Sequence, residues 1–266
     1  MAGTETVVVE TATTEVRAGT LRWWREVLYV LAFYGIYTAV RNTQGSAVVS
    51  ARHAFNNARH IIRWEEWLHV FHEEAIQQAF LGARRFIQFW NVYYGSAHFV
   101  VTAVALIWLF RRMPERYPLW RNTLAWTTAL ALIGFALYPL MPPRLLPSSY
   151  GFVDTLDKIG GLWSFDSGAM AKVSNQYAAM PSLHCGWALW VTFVLWPAAR
   201  KPWARLLVVL YPLITVFCIV VTANHYFLDA VGGAVVFCAG YGMAVLTVRH
   251  LSPILTRLGS GRPSSA

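Results

Sequence analysis

Between Leu206 and Val248 the chain reads LLVVLYPLITVFCIVVTANHYFLDAVGGAVVFCAGYGMAVLTV, with Asp229 as its only formally charged side chain. Two apolar runs, Leu206–Asn224 and Tyr226–Val248, each approach the roughly 20 residues that a helix needs to cross a hydrocarbon core. Working outward, Leu183–Ala199, Thr123–Met141, Phe86–Phe110 and Trp23–Val40 have the same character, the last with Arg25 and Glu26 still inside its edge. The expected fold is all-α: a polytopic membrane bundle of about six transmembrane helices.

Composition agrees. The 266 residues are 56% hydrophobic and 13% charged, with a mean hydropathy of +0.42, against about 25% charged in an ordinary soluble domain. Disorder, a coiled coil and a typical cytosolic enzyme are excluded. A net charge of +9 is compatible with nucleic acid, anionic headgroups or basic cytoplasmic loops. The apolar runs select the lipid bilayer as partner and leave no role for nucleic acid. Cys185, Cys218 and Cys238 all lie in apolar runs and imply no disulfide framework.

Six spans place both termini on one side. With that side inside, 13 of 22 Lys and Arg fall in the N-terminal segment, the 111–121 and 200–205 loops and the C-terminal segment, as the positive-inside rule favours. Residues 1–20 carry Glu5, Glu10 and Glu15 without a signal-peptide pattern and read as a flexible tail. Residues 21–250 read as the membrane-embedded domain, and 251–266 as a second tail. Three lysines against nineteen arginines suggest a high-GC bacterial genome, hence a bacterial plasma membrane.

Between the first two spans, Ala54, Ala58, Ile61, Trp64, Leu68, Phe71, Ala75 and Ala79 recur at steps of three and four. This predicts one amphipathic helix at the outer interface, with Trp64 and Trp67 at headgroup level and Arg59, Arg63, Glu66, Glu73 and Gln77 on its polar side. It fits the roof of a headgroup site and, equally, a packing helix.

Three constellations carry possible chemistry. Asp229 is an intramembrane carboxyl, which marks a functional site by default, and His225 precedes it by one helical turn. If Asp229 holds one ring N–H, the other nitrogen is free to act as nucleophile or base; a structural His–Asp pair has the same spacing. In Met180-Pro181-Ser182-Leu183-His184 a helix N-terminus with a hydroxyl suits an anion, and so does a plain capped helix. In Pro142-Pro143-Arg144 the prolines end a helix and present a guanidinium, either to phosphate or to lipid headgroups. Topology brings all three to the outer face. Together they read as metal-free phosphoryl transfer, with Arg144, Ser182 and helix-end amides on the phosphate.

The order Pro-Pro-Arg, Met-Pro-Ser-Leu-His, His-Tyr-x-x-Asp resembles the type 2 phosphatidic acid phosphatase superfamily, most closely its inositolphosphotransferase-like branch, the inositol phosphorylceramide synthase group. The resemblance spans roughly Tyr138 to Gly233. It implies that His225 is the phosphate nucleophile, assisted by Asp229, and that His184 is the general acid. Two differences stand out: Arg144 substitutes for a lysine-to-Arg-Pro element, and Leu183 replaces a glycine, as in the transferase-like branch.

The expected activity is therefore that of an integral membrane lipid phosphatase or phosphotransferase with a phosphohistidine intermediate, active on the extracytoplasmic side. Its substrate is a membrane lipid, its acceptor water or an alcohol such as an inositol-containing headgroup, and it needs no cofactor. The rival is a proton-coupled transporter using the His225–Asp229 pair, which lacks the internal symmetry common in carriers. Glu66-x-x-His69 with His72 could begin a metal centre, but no second Glu-x-x-His completes it. His98, near Asn91 and Ser96, fits either the headgroup pocket or a bond between helices. Asp154, Asp157, Asn175 and Tyr177 lie in the outer loop, within reach of an acceptor.

Overall fold

The computed structural model describes residues 21–43, 50–161 and 176–259. Residues 1–20 and 260–266 of the expected tails, and Asn175, lie outside them. The described residues form nine α-helices: α1 (Trp23–Thr43), α2 (Ala51–Trp67), α3 (Glu73–Leu81), α4 (Arg84–Arg112), α5 (Tyr117–Leu137), α6 (Thr155–Lys158), α7 (Leu183–Leu195), α8 (Pro202–Val221) and α9 (Phe227–Gly259). No strand occurs among them; Leu140 and Ala178 make an isolated parallel bridge. Because α9 continues to Gly259, the first residues of the segment read as a C-terminal tail are helical.

The protein is an all-α membrane bundle. Helices α4, α8 and the Phe227–Arg249 part of α9 are each long and apolar enough to cross a bilayer, and α1, α5 and α7 occupy the other three expected positions. Phe99, Val104 and Ile107 on α4, Leu206 and Leu213 on α8, and Val231 and Val235 on α9 are exposed. Contiguous apolar surface of this extent belongs against lipid rather than water.

Helix α9 packs along α5, and α7 is enclosed by α4, α5, α8 and α9. The enclosure is held by polar contacts as well as apolar ones: Trp190 donates its ring N–H to the Trp120 carbonyl at 2.7 Å, and Trp187 donates to Thr128 at 3.0 Å. Glycines let α7 and α9 touch. A Cβ at Gly233 would collide with the Ser182 carbonyl oxygen and stand 3.2 Å from Gly186 N, the close approach that small residues permit between membrane helices.

The interfacial segment differs from its expected form. It is two helices, because the chain leaves helical geometry after Trp67 and His69 takes a left-handed φ of +57°, rare for a residue with a Cβ. Trp64 and Trp67 are exposed, 65% and 76%, as a headgroup-level position requires. Glu73 and Gln77, expected on the polar side, are fully buried. The elbow turns them inward, where Gln77 makes a two-way 2.9 Å pairing with the backbone of Val153.

The link between α8 and α9 differs too. His225 is not within a helix: α8 ends at Val221, Ala223 adopts φ +51°, and α9 starts at Phe227. The left-handed residue folds the chain back so that Asn224 N and His225 N both bond the Ile219 carbonyl. The His225–Asp229 contact thus arises across a helix cap, not along one helical face.

Candidate active site

Asp229 is the third residue of α9, and its Oδ2 accepts the backbone N–H of Tyr226 at 2.9 Å, the reciprocal half of a capping box. The same oxygen lies 3.3 Å from His225 Nδ1. A shorter contact, 2.8 Å, joins Nδ1 to the Ala179 carbonyl oxygen. A carbonyl oxygen only accepts, so Nδ1 carries the proton and the lone pair sits on Nε2. That Nε2 is buried and has no hydrogen-bond partner. Two acceptors, one from the peptide before α7 and one from α9, therefore fix one tautomer.

His184 lies in the first turn of α7. Its ring is 5.5 Å from that of His225, edge to face, and stacks on Tyr94 at 4.2 Å. Its Nε2 lies 3.2 Å from the Tyr94 carbonyl oxygen, which by the same argument makes Nε2–H the donor and leaves Nδ1 to exchange a proton. His98, from α4, meets the His184 ring at 4.1 Å and bonds the same carbonyl through Nδ1 at 3.1 Å. Three imidazoles thus share one corner, and His98 belongs to it.

Ser182 is the fully buried N-cap residue of α7, with its hydroxyl against the Cys185 thiol. Its backbone N–H donates to the Asp229 carbonyl at 2.9 Å, tying the start of α7 to the start of α9. Two helix N-termini, each with a partial positive charge, therefore converge beside the histidines.

Arg144 enters from the loop after α5. Its backbone N–H donates to the Ala223 carbonyl at 2.8 Å, which anchors it beside the segment that carries His225. Its guanidinium pairs with Asp154 through Nη1, while Nε is buried without a partner. Asp154 also caps α6, accepting from Leu156 and Asp157. That loop is held to α4 by Asn91, which donates to the carbonyls of Thr155 and Gly160 at 2.8 and 2.9 Å. Asp154 is thus a holder of Arg144. Asp157 is exposed, and Tyr177 accepts Leu140 N at 2.7 Å through its carbonyl.

All five residues singled out in the sequence, His184, His225, Asp229, Ser182 and Arg144, meet around the α7 and α9 N-termini. Two further acidic side chains join them unannounced: Glu65 and Glu73, both fully buried, accept backbone N–H groups of Leu228 and Phe227. Glu65 follows Ile61 by four residues and Ala58 by seven, so its place on the apolar side of α2 was readable. The Glu66, His69 and His72 set is broken by the elbow, and no group of three metal-ligating side chains forms among the described residues.

The profile of the PAP2 superfamily matches residues 59–243, which include every residue of this corner. The chain is also similar to the inositol phosphorylceramide synthase catalytic subunit aur1 of Schizosaccharomyces pombe, 26% identical over 156 residues, 54% of this chain. It spans only 36% of that relative's length. No solved structure matches the chain significantly.

Proposed function

Because the chain belongs to the PAP2 superfamily, we propose that this integral membrane protein is a lipid phosphatase or phosphotransferase whose nucleophile is His225. The observation that carries the reading is the buried, unpartnered Nε2 of His225, whose sister nitrogen is committed to Ala179 and Asp229. In the first half-reaction the Nε2 lone pair attacks phosphorus, the bond from phosphorus to the leaving oxygen breaks, and His184, entering the step as the imidazolium with Nε2–H on the Tyr94 carbonyl, donates its Nδ1 proton to that oxygen. In the second, His184 takes a proton from water or an alcohol, which attacks phosphorus and releases Nε2. Arg144 and the α7 N-terminus stabilise the charge on the phosphoryl oxygens.

The substrate class is a membrane lipid carrying a phosphate or phosphoryl headgroup. The similarity to an inositol phosphorylceramide synthase subunit supports headgroup transfer to or from an inositol-containing lipid. The basic 111–121 and 200–205 loops lie at the bundle end opposite this corner, which supports an extracytoplasmic site, and the excess of arginine over lysine supports a bacterial plasma membrane. No step calls for a metal or an organic cofactor.

The test is turnover with a lipid labelled in its phosphate, in detergent, quenched with alkaline denaturant. Wild type should retain alkali-stable, acid-labile label and His225→Ala should not; equal labelling ends the covalent scheme. A proton-coupled carrier would show no turnover without a sealed bilayer.

A further inference from the structure

Glu65 and Glu73 have no part in the chemistry above, yet they are among the largest fully buried side chains of the described protein. Glu65 Oε1 accepts Leu228 N at 2.7 Å and Glu73 Oε1 accepts Phe227 N at 2.9 Å. With Asp229 on Tyr226 N, three consecutive amides at the start of α9 are each taken by a different carboxyl group. Helix-start amides lack intrahelical acceptors, and the usual cap is a short side chain just before the helix. Here two of the three acceptors come from the separate α2–α3 elbow.

The remaining oxygens, Glu65 Oε2 and Glu73 Oε2, are buried with no hydrogen-bond partner. Two buried carboxyl groups set against each other repel unless one of them is protonated. Burial first, then Glu73, pushes the Glu65 carboxyl up to about 10, so Glu65 carries that proton at neutral pH.

We propose that Glu65 and Glu73 form a positioning pair for the phosphoryl-transfer site: they clamp the first turn of α9 and so set the place of His225 and Asp229 against His184. Neither Glu65 nor Glu73 hydrogen-bonds to His184 or His225; their bonds go to the α9 backbone. Its effect passes through the register of a turn whose next residues are His225 and Asp229, and small misplacements of a nucleophile are costly in rate. The inference rests on the phosphohistidine reading for its kinetic consequence, but the clamp itself is observable without activity.

The experiment compares Glu65→Gln, Glu73→Gln and the double variant in the full-length protein in detergent, with exposed Glu66→Gln as control. Each single amide keeps an oxygen for the α9 amide and offers an N–H to the remaining carboxyl group. The double variant sets two N–H groups against each other. Single variants should keep kcat within about threefold of wild type, and the double variant should lose about tenfold or more in kcat with KM within about twofold. Hydrogen exchange of the Tyr226–Leu228 amides, read by mass spectrometry, should rise in the double variant alone. A double variant with wild-type kcat and exchange overturns the proposal, as do single variants as impaired as the double. If the double variant does not accumulate, Glu65→Asp decides: the shorter side chain withdraws from Leu228 N, and faster exchange there is expected, wild-type exchange being fatal. Should wild type show no turnover of lipid phosphates, the functional reading fails while the exchange measurements still judge the clamp.

Discussion

His184 and His225 stand edge to face with ring centroids 5.5 Å apart, and each is tied to a backbone carbonyl, of Tyr94 and Ala179 respectively, through a different ring nitrogen. The two imidazoles are therefore held in opposite tautomers: His225 offers Nε2, His184 offers Nδ1. Neighbouring imidazoles so arranged suit a division of labour, one group bonding to phosphorus and the other moving protons.

That division is separable by leaving group. His184→Ala should lower kcat on a lipid alkyl phosphate about 10²–10⁴-fold, the usual worth of a general acid. On an aryl phosphate, whose phenolate leaves without protonation, label on His225 should still form. His225→Ala should label with neither substrate. A His184→Ala protein equally impaired in labelling with both would remove the proton-donor role.

Arg144 presents an unpartnered buried Nε while Asp154 holds the far side of the guanidinium. Arg144→Ala should cost about 10²–10³ in kcat, the typical loss of one charge-stabilising donor. Arg144→Lys should recover little of it, because an ammonium cannot serve Asp154 and phosphate in one plane. Steady-state kinetics on detergent-dispersed lipid decide; full recovery by lysine would reduce Arg144 to a point charge.

At Gly233 any side chain meets the Ser182 carbonyl and Gly186 N, whereas a Cβ at Gly242 meets nothing within 4 Å. Gly233→Ala should destabilise by about 1–3 kcal/mol, the range for overpacking, and lower the detergent melting temperature. Gly242→Ala, inside α9 with open space at its Cβ, should not lower it. Equal melting temperatures would mean that α7 and α9 do not touch there.

Glu65 has a folded-state pKa of about 10, raised from the ordinary 4.5. The folded protein therefore holds a proton that the unfolded chain releases. The stability this group contributes is complete below about pH 4.5 and is lost progressively as pH rises through about 10. Glu65→Gln carries no titrating proton and should flatten the fall in melting temperature between pH 7 and 10. A parallel fall in both proteins would show that Glu65 does not hold the proton.

Since the proposed scheme draws every charge from side chains and helix ends, turnover should persist in excess EDTA. Strict dependence on an added divalent ion, restored by titration, would overturn the scheme.

Much of the site was legible locally. Asp229 is conspicuous because its surroundings from Leu206 to Val248 carry no other formal charge, and the Pro-Ser-Leu-His and Pro-Pro-Arg segments sit at the ends of apolar runs. Other features were not. The single amphipathic helix expected across Ala54–Ala79 is divided at His69; a pattern of threes and fours in the sequence does not mark an elbow, beyond which the buried face shifts to Glu73 and Gln77. Asp154 had the look of an acceptor contact and instead caps α6 and holds Arg144. His98 had two possible destinations, and the packing of α4 on α7 sends it to His184.

The sequence by itself determined that this chain lives in a bilayer as a helical bundle, because runs of uncharged residues of span length have few other stable places. It also determined which histidines and which carboxyl group in those runs invite a chemical reading. Only the tertiary structure decided that Glu73 is buried beside Glu65, and that Nε2 of His225 is the free nitrogen. Burial of a polar group depends on the partners that meet it. Here those partners, Leu228 N, Phe227 N and the Ala179 carbonyl, are backbone groups brought from remote segments, which no local pattern of side chains records.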